Sequence, residues 1–463
     1  MAWAEDVNNA ETGKNITIAG MVELETAEML KARITYSGRD VSVDHAWYSH
    51  LLGTFNINAA PAPYLKVRSG FEFRQYMNMS STQYNPKMNN SYNLGDFLYH
   101  DFFIREAQGI FSIAKNESMS LEVAAGLMPY KYNPEVRELG EFLFRSGTYP
   151  LYLTGEFDRP FARLTGLRGS FNYGNEALGA KMDVLVLTER ETRPFWDVSI
   201  AAVASAHFFK MIDVGAGVDF AHVIPMDSRL TTPQANVNSY ILDSTEVIDS
   251  ASGQPTGAWN YKYGYYSFKG TKLMLRATID PFGMIRGKES TLSDIVGKNG
   301  GKIYAEGAII GLENYPANLS ISPVSNPYGY DKLKEKIPFM AGINIPFWKI
   351  LDVCALEFEY FPSPNPNSAI SIIKDGYPLP FYAFNNREEG YDTGSGNAYV
   401  PRWYWSVYLK KQIVKNFSVV AQVGRDHIRW EMPLIYQTSN YDYEDAMVKP
   451  DEWGWHIKTI FNF

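Results

Sequence analysis

The chain has 463 residues, 45% hydrophobic and 20% charged, with a formal net charge of −8. Aromatic residues reach 15%, whereas Gly (36) and Pro (25) stay near average, which excludes collagen-like and low-complexity disordered chains. The acidic balance argues against a phosphate-tracking nucleic-acid binder, and the single Cys354 excludes an internal disulfide framework and a thiolate metal cluster.

No run approaches the roughly 18 to 20 consecutive apolar residues of a membrane helix. Residues 1–6 read Met-Ala-Trp-Ala-Glu-Asp, without the basic and apolar stretches of a signal peptide. This start fits either a cytosolic chain or a mature end, the small residues Ala2 and Ala4 suiting the stub of a cleavage site. The absence of a cysteine near residue 1 argues against a lipoprotein anchor.

Alternation of apolar and other residues marks a strand with two different faces. In chain order it predicts strands near 15–26, 45–58 and 64–78, the last with Leu65, Val67, Phe71 and Phe73 opposite Lys66, Arg68, Gly70, Glu72 and Arg74. Strands near 100–114, 119–130, 160–171 and 177–188 follow. At 195–207 one face reads Trp196, Val198, Ile200, Ala202, Ala204 and Ala206, and at 212–224 Ile212, Val214, Ala216, Val218 and Phe220 stand opposite Asp213, Gly215, Gly217 and Asp219. Further strands fall near 265–280, 302–313, 337–345, 350–362, 399–410, 417–431 and 453–463. Within 402–410, Trp403, Trp405, Val407 and Leu409 alternate with Arg402, Tyr404, Ser406, Tyr408 and Lys410.

These runs exceed the roughly 5 or 6 residues usual in soluble domains and match the roughly 9 to 11 that a tilted membrane-crossing strand needs. The expected fold is therefore all-β, a transmembrane antiparallel up-and-down barrel of about 16 strands, with 14 to 18 as the bounds. Trp403, Trp405, Trp453 and Trp455 fall at strand ends, where interfacial girdles form. Connections alternate between tight ones (59–63, 115–118, 172–176, 208–211, 346–349, 411–416) and long ones (27–44, 79–99, 131–159, 225–264, 314–336, 363–398, 432–452). Short periplasmic turns and long extracellular loops produce that pattern. It places residues 1–14 as a short periplasmic segment, residues 15–463 as the barrel, and both termini in the periplasm. Two connections break the rhythm: 189–194 is short for a loop, and 281–301 is long for a turn. In the latter, Ser290 followed by Leu292, Ile295 and Val296 predicts a short helix ending near Gly297.

Trp453, Trp455, Ile457, Thr459, Phe461 and Phe463 share one face of the last strand, and Phe463 is the final residue. This resembles the C-terminal assembly signal of Gram-negative outer-membrane barrels, an amphipathic strand closing on an aromatic residue. The resemblance implies a porin-like fold, export, insertion by the barrel-assembly machinery, and outer-membrane lipid and lipopolysaccharide as surroundings.

A barrel of about 16 strands leaves an aqueous lumen, unlike one of eight. Charge facing lipid costs about 2 to 4 kcal/mol for Lys or Arg at midplane, so the charged faces should point inward. They carry Lys66, Arg68, Arg74, Lys272, Arg276, Arg402 and Lys410 against Glu72, Glu122, Asp183, Asp213, Asp219, Glu306, Glu357 and Glu359. With only about 14 residues ahead of the first strand, no plug domain and no TonB-gated transport are expected. The loop 131–159 follows the fifth strand and sets Phe142, Leu143 and Phe144 among Glu135, Arg137, Glu138, Glu141 and Arg145. An apolar triplet between charges suits a segment folded against a wall, which makes this loop the candidate constriction, with its three Glu facing Lys66, Arg68 and Arg74. An extracellular cap packed on neighbouring loops is the competing reading.

The seven His form no HxH or HExxH pattern, so no metal site is expected. No Gly-x-Ser-x-Gly elbow or phosphate-cradling glycine loop occurs, and neither catalysis nor a cofactor is expected. The Tyr-, Asn- and Pro-rich loop 363–398 suits either sugar stacking or burial of its own aromatics. The expected function is passive diffusion of small hydrophilic solutes or ions, with a homotrimer or an envelope complex as partners. The alternative is a non-conducting barrel whose loops serve as surface scaffold or adhesin.

Overall fold

Sixteen alternating stretches become sixteen barrel strands. The computed structural model describes residues 16–36, 39–80, 82–85, 90–93, 99–145, 162–189, 196–224, 226, 239–265, 269–286, 291–297, 299–314, 332–347, 350–362, 402–426 and 451–463. The strands are β1 (Ile16–Tyr36), β2 (Arg39–Ala62), β3 (Leu65–Ser80), β4 (Thr82–Asn85), β5 (Asn90–Asn93), β6 (Tyr99–Lys115), β7 (Met119–Tyr130), β8 (Ala162–Gly174), β9 (Leu178–Thr188) and β10 (Val198–Phe208). They continue with β11 (Ile212–Ile224), β12 (Ser239–Ile248), β13 (Pro255–Tyr265), β14 (Gly270–Ile279), β15 (Ile303–Ile309), β16 (Phe339–Asn344), β17 (Val353–Phe361), β18 (Arg402–Val414), β19 (Phe417–Arg425) and β20 (Trp453–Asn462).

Omitting β4, β5, β12 and β13, each strand pairs antiparallel with the next, and β20 pairs with β1 to close the barrel. Closure matters because a barrel has no edge strand left with unpaired backbone groups. Among the described residues no helix is long and apolar enough to cross a membrane.

Three of the stretches expected as loops carry strand. The segment 27–44 continues β1 and β2 as one long hairpin, paired up to Tyr36 and Arg39. Within 79–99 and 225–264 lie the two small sheets β4–β5 and β12–β13. Polar residues at these positions hid the strand character, because beyond the barrel neither face needs to be apolar. At the other end the turns are tight. The Asn116 and Asn175 side-chain oxygens each accept two backbone N–H bonds, from Ser118 and Met119 (3.0 and 2.8 Å) and from Ala177 and Leu178 (2.8 and 3.1 Å). Asn closes turns in this way. The long connection after β14 holds the expected helix, here α2 (Thr291–Val296), and Gly297 beyond it has a φ of 66°. Arg286 ties this cap together through two bonds to the Asp280 carboxylate (2.6 and 2.7 Å) and one each to the carbonyls of Gly297 and Gly300 (2.6 Å).

The polarity of the wall is inverted relative to a soluble protein. On β14, Leu275 is 69% exposed while Lys272, three residues earlier and facing inward, is 0% exposed. Phe55, Val67, Phe102, Phe111, Val184, Phe220, Phe339, Phe358 and Ile457 are likewise exposed on the outer face. An apolar exterior of this extent is stable only in contact with another apolar phase.

The seam between β20 and β1 shows what the terminal aromatic does. Phe463 donates to the Gly20 carbonyl (3.0 Å) and accepts from the Gly20 N–H (2.9 Å). A Cβ on Gly20 would stand 2.2 Å from the Phe463 ring, which lies over that glycine and 6.4 Å from Phe461. Removing Phe463 should weaken closure by about 1 to 3 kcal/mol, the sum of two backbone hydrogen bonds, and Gly20→Val should weaken it by driving a side chain into the Phe463 ring. Heat-modifiable gel mobility after refolding reads this, and an unchanged folded fraction for both variants would remove Phe463 from the closure.

Candidate functional site

Charged side chains line the interior on most of its strands, from Glu25 on β1 to Glu357 and Glu359 on β17. Lys66 and Arg68 on β3 point inward and are half-buried, while Glu72 and Arg74 are buried and paired at 2.8 Å, with Arg74 5.2 Å from the Phe103 ring centre. Asp213 and Arg276 form an ion pair between β11 and β14. Asp219 and Lys272 stand directly opposite each other on the same two strands. Both are fully buried, and neither has a hydrogen-bond partner among the described residues. Glu306, Glu357 and Glu359 are buried on β15 and β17. Arg402 opens β18 opposite Phe361, and its side chain lies outside the described residues.

The arc from β11 to β17, buried charges included, is covered by the chain itself. After Tyr130 the backbone enters the barrel, and its amides meet three wall carboxylates. The N–H groups of Arg137, Glu138 and Leu139 donate to Glu357 (2.6, 2.9 and 3.1 Å), that of Gly140 to Glu359 (3.0 Å), and that of Phe142 to Glu306 (2.9 Å). The Tyr304 hydroxyl donates to Glu357 (2.8 Å), and the Tyr132 hydroxyl and Asn133 amide donate to Glu306 (2.6 and 2.9 Å). Charged acceptors make the stronger hydrogen bonds, and buried carboxylates require them. β7 is the fifth strand of the barrel, whereas β15 and β17 are the eleventh and thirteenth, so the segment reaches across to the far wall.

Two residues let it turn there. Gly140 has a φ of 89°, open to glycine at little cost, and a Cβ would lie 2.9 Å from Met340. Glu141 follows with a φ of 61°, and its carboxylate accepts the Asn133 N–H at 2.6 Å, closing the loop on itself. The apolar triplet then forms the first residues of α1 (Phe142–Arg145), all buried. Phe144 meets Tyr130 and Tyr132 edge-on, Phe142 lies 6.3 Å from Phe361, and Leu143 fills the space over Gly217. Each buried side chain of this size contributes about 1.5 to 3 kcal/mol.

The sequence expectation of segment carboxylates facing wall cations holds only in part, and with another cation than those named. Glu135 meets Lys302 (2.5 Å) and Asn344 (3.2 Å), and Glu141 serves its own segment; neither faces Lys66, Arg68 or Arg74. It is wall anions that hold the segment, by its backbone amides. Arg145 donates to the Glu138 carbonyl at 3.1 Å.

Across the barrel from that arc lies the polar wall of β1, β2, β3, β6, β19 and β20, whose Glu25, Glu72, Arg74 and His456 are also buried. There Glu25, His50, His456 and Lys458 converge although far apart in sequence. Glu25 lies 3.2 Å from each of the other three, and Lys458 also 3.4 Å from Glu23. None of these four was a candidate from sequence. The signal was present, since Glu23 and Glu25 alternate with Val22 and Leu24, and His456 and Lys458 with Trp455 and Ile457. Of the C-terminal group, Trp453, Trp455, Ile457 and Phe461 face outward, and the Trp455 indole donates to Glu28 at 3.0 Å. The loop 363–398 lies outside the described residues.

No family model matches the sequence, and no curated protein matches it. Among solved structures, Salmonella typhi OmpF in complex with daunomycin is 8% identical with a TM-score of 0.42, covering 97% of each chain. A triple mutant of the Rhodopseudomonas blastica porin is 8% identical with a TM-score of 0.38, covering 97% of this chain and all of that one. The sixteen-stranded closure stands on its ladder of paired strands and not on these likenesses.

Proposed function

We propose that this barrel sits in the outer membrane of a Gram-negative-type bacterium and passes small hydrophilic solutes or ions by diffusion, without catalysing a reaction. The path runs between the folded segment 131–145 and the polar wall of β1–β3, β6 and β19–β20. The observation that supports this reading is a closed sixteen-stranded barrel with an apolar outer face and charged groups along the inner arc of β1–β3, β6 and β19–β20. Selectivity arises from the charged groups that line that arc, Lys66 and Arg68 among them. The start of β1 and the end of β20 lie at the tight-turn end, which in this reading is periplasmic; insertion uses the barrel-assembly machinery, lipid and lipopolysaccharide surround the wall, and a homotrimer or an envelope complex is the expected assembly. Proteoliposomes are expected to swell in isotonic solutions of small sugars and not in those of large ones. Vesicles carrying folded protein yet impermeable to the smallest sugar would refute this.

One observation favours the second reading, a non-conducting barrel acting as a surface scaffold. The apolar cluster inside the barrel runs from Met128 through Phe144, Leu164, Leu187, Val203 and Met274 to Tyr404, an extent of core that a filled barrel shares. Impermeable vesicles would select it.

A further inference from the structure

We propose that Glu23, Glu25, His50 and His456 form a site for a divalent transition-metal ion such as Zn²⁺ on the inner wall, with Lys458 as its built-in competitor. The site does not depend on whether the barrel conducts.

Three strands bring the donors together. Glu25 is opposite His50 on β2 and opposite Lys458 on β20, and His456 is the next inward residue along β20. The ligand atoms of Glu23, Glu25 and His50 all lie within 4.8 Å of one another. Atoms sharing one zinc ion at about 2.0 to 2.2 Å are necessarily no more than about 4.4 Å apart, so small side-chain adjustments suffice for these three, and His456, 3.2 Å from Glu25, joins by a larger turn of its ring. Imidazole with carboxylate is a donor set that suits Zn²⁺, Ni²⁺ and Cu²⁺ over Mg²⁺ or Ca²⁺.

A second, independent observation concerns the His456 ring. Gln422 donates its amide N–H to Asp426 (3.0 Å), which turns its carbonyl oxygen toward His456 Nε2 at 2.8 Å. That bond places the proton of the neutral ring on Nε2. The Nδ1 lone pair then points at the Glu25 Oε1 only 3.2 Å away. Two acceptors facing each other are satisfied either by a proton on Nδ1, which makes the ring an imidazolium, or by a metal ion between them. A chain of hydrogen bonds that fixes a ligand's tautomer is also how metal-binding histidines are held.

The cation present is the Lys458 ammonium, 3.2 Å from Glu25 and 3.4 Å from Glu23. It neutralises one of the two carboxylates, and a metal ion must move it aside.

Zinc titration of the folded full-length protein in detergent, followed by calorimetry near neutral pH, tests this. Wild type is expected to bind one ion saturably, and Lys458→Met to bind it roughly tenfold tighter or more, since a like charge about 4 Å away is removed. The double variant His50→Gln with His456→Gln should lose this binding. Folded Lys458→Met protein without a one-to-one heat would overturn the proposal, as would undiminished binding in the folded double variant. Lys458→Met needs no lost donor, so it decides the question even where the double variant does not fold. Binding is read as heat and not as current, so its failure leaves the channel reading standing, and impermeable vesicles leave the metal site standing.

Discussion

Glu357→Gln is expected to release the segment 131–145 from the wall and raise single-channel conductance severalfold without preventing barrel formation. The carboxylate accepts three consecutive backbone N–H groups and the Tyr304 hydroxyl. An amide replaces one acceptor oxygen with an N–H₂ that confronts N–H donors already in place. Hydrogen bonds to a charged group are worth about 1.5 to 3 kcal/mol each, and a buried donor left unpaired costs about as much, so several kcal/mol of tethering are at stake. Glu359 then holds only Gly140, and Glu306 holds the segment at Tyr132, Asn133 and Phe142, leaving residues 137–139 without their acceptor. Deleting 133–148 should give the same enlarged conductance. If the deletion enlarges the conductance and Glu357→Gln does not, Glu357 is no tether; if neither does, the constriction lies elsewhere.

The second large effect separates the two faces of the wall. Ala202 pairs with Val218 and faces outward, so Ala202→Arg should destabilise the barrel by about 2 to 4 kcal/mol if it lies near the bilayer midplane. Arg68→Glu, inward and half-buried, should fold as wild type and shift ion selectivity toward cations. Denaturant unfolding from vesicles measures the first and reversal potential the second; equal stability of both variants would contradict the face assignment. Asp219 is not an equivalent inward test site. Alternation alone offers it as tolerant, yet it is fully buried opposite Lys272, and a second cation there would face the first without water.

The barrel was legible because a two-faced strand writes its environment into every second residue. All sixteen barrel strands were found, including the closing one, where Trp453, Trp455, Ile457 and Phe461 mark the outer face. The extension of β1 and β2 to Tyr36 and Arg39 was not, since beyond the barrel the alternation has nothing to obey. At the site, the apolar triplet Phe142–Phe144 signalled a segment folded on a wall. Its attachment was illegible because Glu357 and Glu359 grip backbone amides, which every residue has. The convergence of Glu25, His50 and His456 was hidden for another reason: it depends on which strands become neighbours when the barrel closes.

Planar-bilayer recording of the purified, folded protein tests the central claim most directly. The account predicts discrete, ohmic current steps, each the insertion of one barrel or one assembly of barrels, with larger steps from the protein lacking 133–148. Folded protein that inserts into the bilayer and leaves it electrically silent, with the segment and without it, would contradict the account.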